Sequence, residues 1–486
     1  IAAGAPMTTC TPNDTASIYN SNSLFGQNIS CAWNTTNSTL VGNNITAAEN
    51  TDNLVVVGNG NNISTAGGRS TVLGSKIDHS GRFTTVIGQN IKSNTEHSIV
   101  MGEDTTIGGG NYDISIGGNQ NILNSQHTVA LGNNIKTSGS ITSLAAGNDT
   151  TITNSRLATA VGDRTFGAGS SIIRADHYIA VGAKASVNES HSSFAGGVNA
   201  SITGGYGNIA IGSTSTVSNT FGSSAIGYES SVTGNSRGMA LGTQAKVTDS
   251  DRGTALGASA SVTNSASASA SGNNASVTDS SYAQADGAGA KVTSSKSATA
   301  VGNDAKVTSS VNAGAYGQNA SVTNSANSTA LGQNAIVNNS NSAMALGQKS
   351  LVDGSINASA VGYGSQVINN SIYSQAFGAS NIIDGSTNAT GVGVNTKISA
   401  SNNAVAMGNG ANVASAKDGI AIGTNANVTV ANSVALGAGS TAVAAAVPTN
   451  TATVGPYTYS GFAGTAPVGV VSVGSAGKER QITNVA

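Results

Sequence analysis

The chain has 486 residues with 63 glycines, 5 prolines, 4% aromatic and 9% charged residues, whereas an ordinary globular protein carries about 25% charged residues. Its net charge is -2 and its Lys and Arg residues are scattered singly, which excludes a basic stripe for nucleic acid. No apolar run approaches the roughly 20 residues of a membrane helix, and Ile1-Ala2-Ala3-Gly4 has neither the charged nor the apolar region of a signal peptide, so any export signal is expected to have been removed already.

Residues 1-41 read as an N-terminal cap. Cys10 and Cys31 are the only cysteines of the chain, and neither lies in a CxxC or zinc-ligand spacing. They are expected to form one disulfide in an oxidising compartment, the alternative being two buried thiols.

From Gly42 to Gly437 the sequence repeats. A short strand of small residues ends in Gly about every 15 positions, at Gly58, Gly74, Gly88 and Gly102 and later at Gly302, Gly317, Gly332 and Gly347. The first copy falls at Gly26, the spacing is irregular between Gly162 and Gly196, and roughly 28 copies fit the pattern, a scale that belongs to a solenoid. Each copy predicts two strands. Met239-Ala240-Leu241-Gly242 makes a leading strand, Ala245-Lys246-Val247-Thr248 a trailing one, and Asp249-Ser250-Asp251 a closing turn.

Alternation places Met239 and Leu241 on one face of the leading strand and Ala240 and Gly242 on the other. Both faces read as buried, and the Ala/Gly face is expected to meet neighbouring subunits around an axis. In the trailing strand Ala245 and Val247 point inward, while Lys246 and Thr248 face solvent. The strand-ending Gly marks a corner that needs positive φ or close backbone approach. A thin core of this kind buries little per coil, which predicts a homo-oligomer.

The coil after Gly162 is about five residues too long, and it gathers Arg164, Phe166, Ile172, Ile173, Arg174 and Tyr178 in an aromatic-poor chain. Insertions in a solenoid are expected to loop outward, so these six residues form the candidate receptor-binding site, with Phe25 and Trp33 of the cap as the competing one. The alternative is that the extra apolar residues pack against the base of their own loop or against the adjacent subunit. His97, His127, His177 and His191 each lie five residues before a strand-ending Gly and read as exposed turn residues, a metal site at His177 and His191 being the lesser alternative. Asp286 stands where most coils place Leu, Val or Ile. Calcium-binding nonapeptides are missing around Gly108-Gly109-Gly110 and Gly117-Gly118.

Near the C-terminus, Gly419-Ile420-Ala421-Ile422-Gly423 and Ser433-Val434-Ala435-Leu436-Gly437 resemble the head motif of the trimeric autotransporter adhesins, specifically their YadA-like head. Residues 469-486, Gly469 to Ala486 with Lys478-Glu479-Arg480 among them, are similar to the family neck, and residues 438-468 to the insert that precedes it. The resemblance covers almost the whole chain. It implies an all-β, left-handed parallel β-roll that is homotrimeric, borne on a stalk and a C-terminal outer-membrane barrel beyond this chain, which would be its only link to a membrane. The implied location is the bacterial cell surface. The implied partners are further copies of the chain and a host receptor or matrix protein: collagen, fibronectin, laminin, or an immunoglobulin-like receptor of the carcinoembryonic-antigen-related adhesion molecule (CEACAM) type. Residues 1-41 and the long coil depart from the family pattern.

A catalytic reading needs a nucleophile with its base, paired carboxylates in a cleft, or a metal cluster. None is found, so the expectation is no enzyme, no cofactor and no metal. A non-adhesive surface scaffold or autoaggregation module is the alternative. A left-handed β-helix acyltransferase, with a period near 18 and a catalytic His at subunit junctions, and an ice-binding solenoid with a regular Thr ladder both fit the repeat less well.

Overall fold

The computed structural model describes residues 9–10, 22–32, 35–64, 68–162, 171–173, 176–234 and 236–484. It is an all-β parallel solenoid of about 27 turns set about 15 residues apart, with no helix among the described residues. By internal contacts the chain divides into two units, Ile1–Ala245 and Lys246–Ala486.

In the first unit the leading strands run in strict parallel register. Gly58 pairs with Gly74, Gly74 with Gly88, Gly88 with Gly102 and Gly102 with Gly117. At Gly88 φ is 141°, and a Cβ would stand 1.7 Å from the carbonyl oxygen of Gly102, so any other residue meets backbone as well as an unfavourable conformation. The register begins inside the segment expected to be a separate cap. Ser23–Cys31 pairs with Thr39–Ala47, Gly26 facing Gly42 and Ile29 facing Ile45, because these residues hold the same repeat positions in coils 16 residues apart. Thr9–Cys10 pairs in turn with Ser30 and Cys31, which makes Cys10 and Cys31 register partners.

The second unit is more regular. Its leading strands are mostly three residues long, such as Thr299–Val301, and its trailing strands match, such as Lys306–Thr308. One coil buries Ala255, Ala260, Val262, Ser265 and Ala268, while Thr254, Leu256, Ser261 and Thr263 point outward. The interior is therefore narrow. The serine expected in a closing turn is one of its buried members: Ser265 Oγ donates to the carbonyl of Thr263 at 2.7 Å and accepts the N–H of Ser280 at 2.8 Å. Ser280, Ser295 and Ser310 repeat this arrangement, so each buried hydroxyl is satisfied within its own coil and by the next.

The turns explain the abundance of Asn, Asp and Ser. Asn264, Asp279, Asn324 and Asn339 all take φ near 50°, a left-handed position that Asn and Asp tolerate better than other side chains do.

At its end the second unit gains one more parallel strand, Val471–Ser472, beside Val434–Leu436. Arg480 holds it there by donating to the carbonyls of Ala438 and Val473 and to Ser440 Oγ. Between these strands Thr451–Val454 and Tyr457–Ser460 form an exposed antiparallel hairpin.

Candidate functional site

The faces of the leading strand are opposite to the expectation. Ala240 is 0% exposed and lies inside the coil, whereas Met239 is 47% and Leu241 37% exposed. In this coil the inward position takes the methyl of Ala240 and the larger Met239 and Leu241 turn outward, whereas earlier coils of the first unit bury Leu40 and Val56 at the same position. The Ala/Gly face is thus the core, and the uncovered face is the apolar one. It carries Ile99, Met101, Ile116, Ile209 and Ile211 in the first unit and Leu331, Met344, Phe377, Met407 and Leu436 in the second. Neighbours on it are in register, as Ile99 with Ile114 and Met101 with Ile116. In the first unit a shallow groove of about 1140 Å³ follows the glycines from Gly58 to Gly117, between Val57 and Leu73 on one side and Asn59, Ser75 and Gln89 on the other. Asp286 interrupts the face in the second unit. It is exposed and stands between Ser271 and Val301.

The second concentration of chemistry is the turn edge of the first unit, just before each leading strand. Phe83, His97, Tyr112 and His127 occupy the same left-handed position on successive coils. Their rings stack at centroid distances of 4.8, 4.8 and 5.2 Å with planes within 15° of parallel, and the guanidinium of Arg69 lies 5.3 Å from the ring of Phe83. Both His97 and His127 are exposed in this stack, His97 in a turn and His127 in the strand Gln126–Leu131. The partners Phe83 and Tyr112 escape a search confined to histidines, although aligning the coils at their 14- or 15-residue spacing reveals them.

One position earlier on the same edge come Arg156, Asp176, His191, Tyr206 and Phe221. Asp176 Oδ2 lies 3.6 Å from Arg156 Nη2 and 3.9 Å from His191 Nδ1. His177 and His191 hold different repeat positions, contrary to expectation. The residue equivalent to His177 is Ser192, whose N–H donates to the carbonyl of Asp176, and the corner glycine of that coil is Gly197 rather than Gly196. Among the described residues no three His, Cys, Asp or Glu side chains converge as a metal site.

The six residues expected on the outward loop do not form one site. Ile172 is 0% exposed and sits in the interior column between Ile152 and Val187. Tyr178 is 2% exposed and points inward beside Ala158. Neither can anchor a receptor, because the long coil still closes into the ladder and brings both side chains into the core. Burial, together with the Asp176 carboxylate, pushes the Tyr178 phenol well above its ordinary pKa. Ile173 lies in the strand Ser171–Ile173, and Arg164, Phe166 and Arg174, like Trp33 in the competing cap, fall outside the described residues. Phe25, the other cap aromatic, is exposed.

Two buried titratable groups of the first unit went unnoticed in the sequence. His79 is fully buried between Ile63 and Ser93, and burial lowers its pKa to about 4, against smaller opposing effects from the backbone of Gly81 and Ser93 and from Asp78. Asp113 replaces a hydroxyl in a ladder like that of the second unit. Its N–H donates to Ser98 Oγ at 3.0 Å, and its Oδ1 accepts the N–H of Thr128 at 2.8 Å. Burial raises its pKa to about 6, against smaller opposing effects from the Thr128 N–H and from His127.

Comparison of the chain with models of known protein families and with curated proteins finds no match.

Proposed function

We propose that the chain is the head of a bacterial cell-surface adhesin that assembles as a parallel homotrimer. The observation that carries this reading is the uncovered apolar face of the leading strands, which is present in each unit. Contiguous exposed apolar patches larger than a few hundred Å² mark interaction surfaces. A second copy is the occupant that matches, because its own ladder repeats at the same spacing of about 4.8 Å per coil. The groove along Gly58–Gly117 leaves room for side chains of an apposed strand. The number three, the left-handed roll and the surface location come from the resemblance of the head motifs and of residues 469-486 to the trimeric autotransporter adhesins.

The absence of convergent catalytic groups in the sequence favours adhesion over catalysis. Regular coils act as a spacer, and the irregular edge of the first unit supplies the Arg, Tyr and Phe residues that dominate binding interfaces. Light scattering should give three times the monomer mass, and replacing Ile99 and Met101 together by Asp should shift the species toward monomer. A folded wild-type monomer would overturn the assembly. The intact head should bind at least one of immobilised collagen, fibronectin, laminin or CEACAM-type receptors. Self-association without binding to any of these would assign the chain to autoaggregation instead.

A further inference from the structure

Arg156, Asp176, His191, Tyr206 and Phe221 stand on successive coils at one repeat position of the first unit. Arg156 is the register partner of Asp176, His191 of Tyr206, and Tyr206 of Phe221. A depression of about 440 Å³ opens among Asp176, His177, His191, Ser192 and Tyr206, within the size range of small-ligand sites. Tyr206 is 56% and Phe221 60% exposed. In the neighbouring stack from Phe83 to His127 the rings cover one another's faces. Beside His191, Tyr206 and Phe221 the adjoining turn position holds Ser192, Gly207 and Gly222, residues too small to cover a ring, while Leu157 and His177 hold it beside Arg156 and Asp176.

We propose that this depression binds a neutral hexose of a glycan chain, its apolar C–H face against Tyr206 and its hydroxyls on Asp176 and Arg156. A sugar hydroxyl both donates and accepts. The Asp176 carboxylate lines the depression as an acceptor, and the Arg156 guanidinium 3.6 Å from it, just outside the lining, supplies a donor, both strengthened by charge. The Asp176 and Arg156 charges balance, and a carboxylated or sulfated sugar would face Asp176 while an amine would face Arg156. A polar but uncharged ligand meets neither penalty. Phe221, one coil on, lies where a second sugar of the same chain would rest.

The inference deepens the adhesin reading and rests on it for its setting. The test presents the intact chain with immobilised galactose-, glucose- and mannose-terminated oligosaccharides and their sialylated and sulfated counterparts. Binding to a neutral glycan is expected. Tyr206→Ala and Asp176→Asn should each weaken it at least about tenfold, and Tyr206→Phe, which keeps the ring, should retain it, all with an unchanged thermal midpoint. Binding only to charged glycans, binding to none, or binding indifferent to both Tyr206→Ala and Asp176→Asn would overturn the site. Matrix glycoproteins offered before and after enzymatic deglycosylation separate the two readings. Equal binding to both forms overturns the sugar site and leaves the adhesin standing, whereas glycan binding without any matrix binding does the reverse.

Discussion

The two units solve the same closure problem with different interiors. In the second, Ala, Ala, Val, Ser and Ala recur almost unchanged from coil to coil, as in Ala255, Ala260, Val262, Ser265 and Ala268 and again in Ala285, Ala290, Val292, Ser295 and Ala298. In the first, the corresponding columns hold Leu40 and Val56, then Ile77, Ile91 and Ile107, and they admit Asn61, His79, Asp113, Gln120 and Tyr178. Some of these polar groups are fully served, Gln120 Nε2 donating to the carbonyls of Ile116 and Gly132. Others are not, as at the Tyr178 hydroxyl. Exposed aromatic, His and Arg side chains also crowd the turn edge of the first unit. The regular unit is thus organised for repetition, and the irregular one accepts costs in its interior where it also displays recognition chemistry.

The largest effect should fall on what both units share. Gly332→Val places a β-branched residue at φ 136° with its Cβ 2.5 Å from the carbonyl oxygen of Gly347, which should cost at least about 3 kcal/mol. Denaturant unfolding would measure it, and an unchanged midpoint would remove the corner glycine from the account. The next effect belongs to the first unit alone. Register partners on adjacent strands lie about 4.8 Å apart, within the span of a disulfide, so Cys10 and Cys31 should be bonded, the loop of about 20 residues contributing about 3 kcal/mol. Thiol titration without reductant should find no reactive cysteine, and two per chain would refute the bond.

Buried charge should distinguish the units by pH. The folded pKa of His79, about 4, lies below the ordinary 6.5. The unfolded chain therefore takes up the proton first, and stability falls as pH drops from 6.5 to 4. The folded pKa of Asp113, about 6, lies above the ordinary 3.8, so stability falls as pH rises from 3.8 to 6. The two trends oppose each other, and wild type should show little net slope between pH 4 and 6. His79→Ile should remove the acid-side loss, and Asp113→Ser should raise stability near neutrality, each by about 2 kcal/mol. Thermal melts across pH 4 to 7 would show it, and parallel curves for wild type and both variants would contradict it.

The smallest effect probes the regular interior. Ser295→Ala leaves the N–H of Ser310 without its acceptor, while the carbonyl of Thr293 keeps the N–H of Ser309, a loss of about 1 to 2 kcal/mol. A neutral result would mean that the serine column is satisfied by other groups.

Much of this architecture was legible in the sequence because a solenoid side chain meets mainly the equivalent residue one period away. The 15-residue spacing, the glycine corners, the turns rich in Asn and Asp, and the inward Ala245 and Val247 all follow from that local rule. The stack from Phe83 to His127 was present in the spacing as well, but only in aligned coils and only across residue types.

The period and the division of each strand into two faces follow from residue spacing alone. Which face lies inside was decided by the tertiary structure. Alternation with period two separates Ala240 from Met239 and Leu241 without saying which side the coil closes around, and it is the small Ala240 that the coil encloses. The same closure drew Ile172 and Tyr178 inward from a segment that looked like an outward loop. It also joined Arg156, Asp176, His191 and Tyr206, residues as much as 50 positions apart, on a single edge.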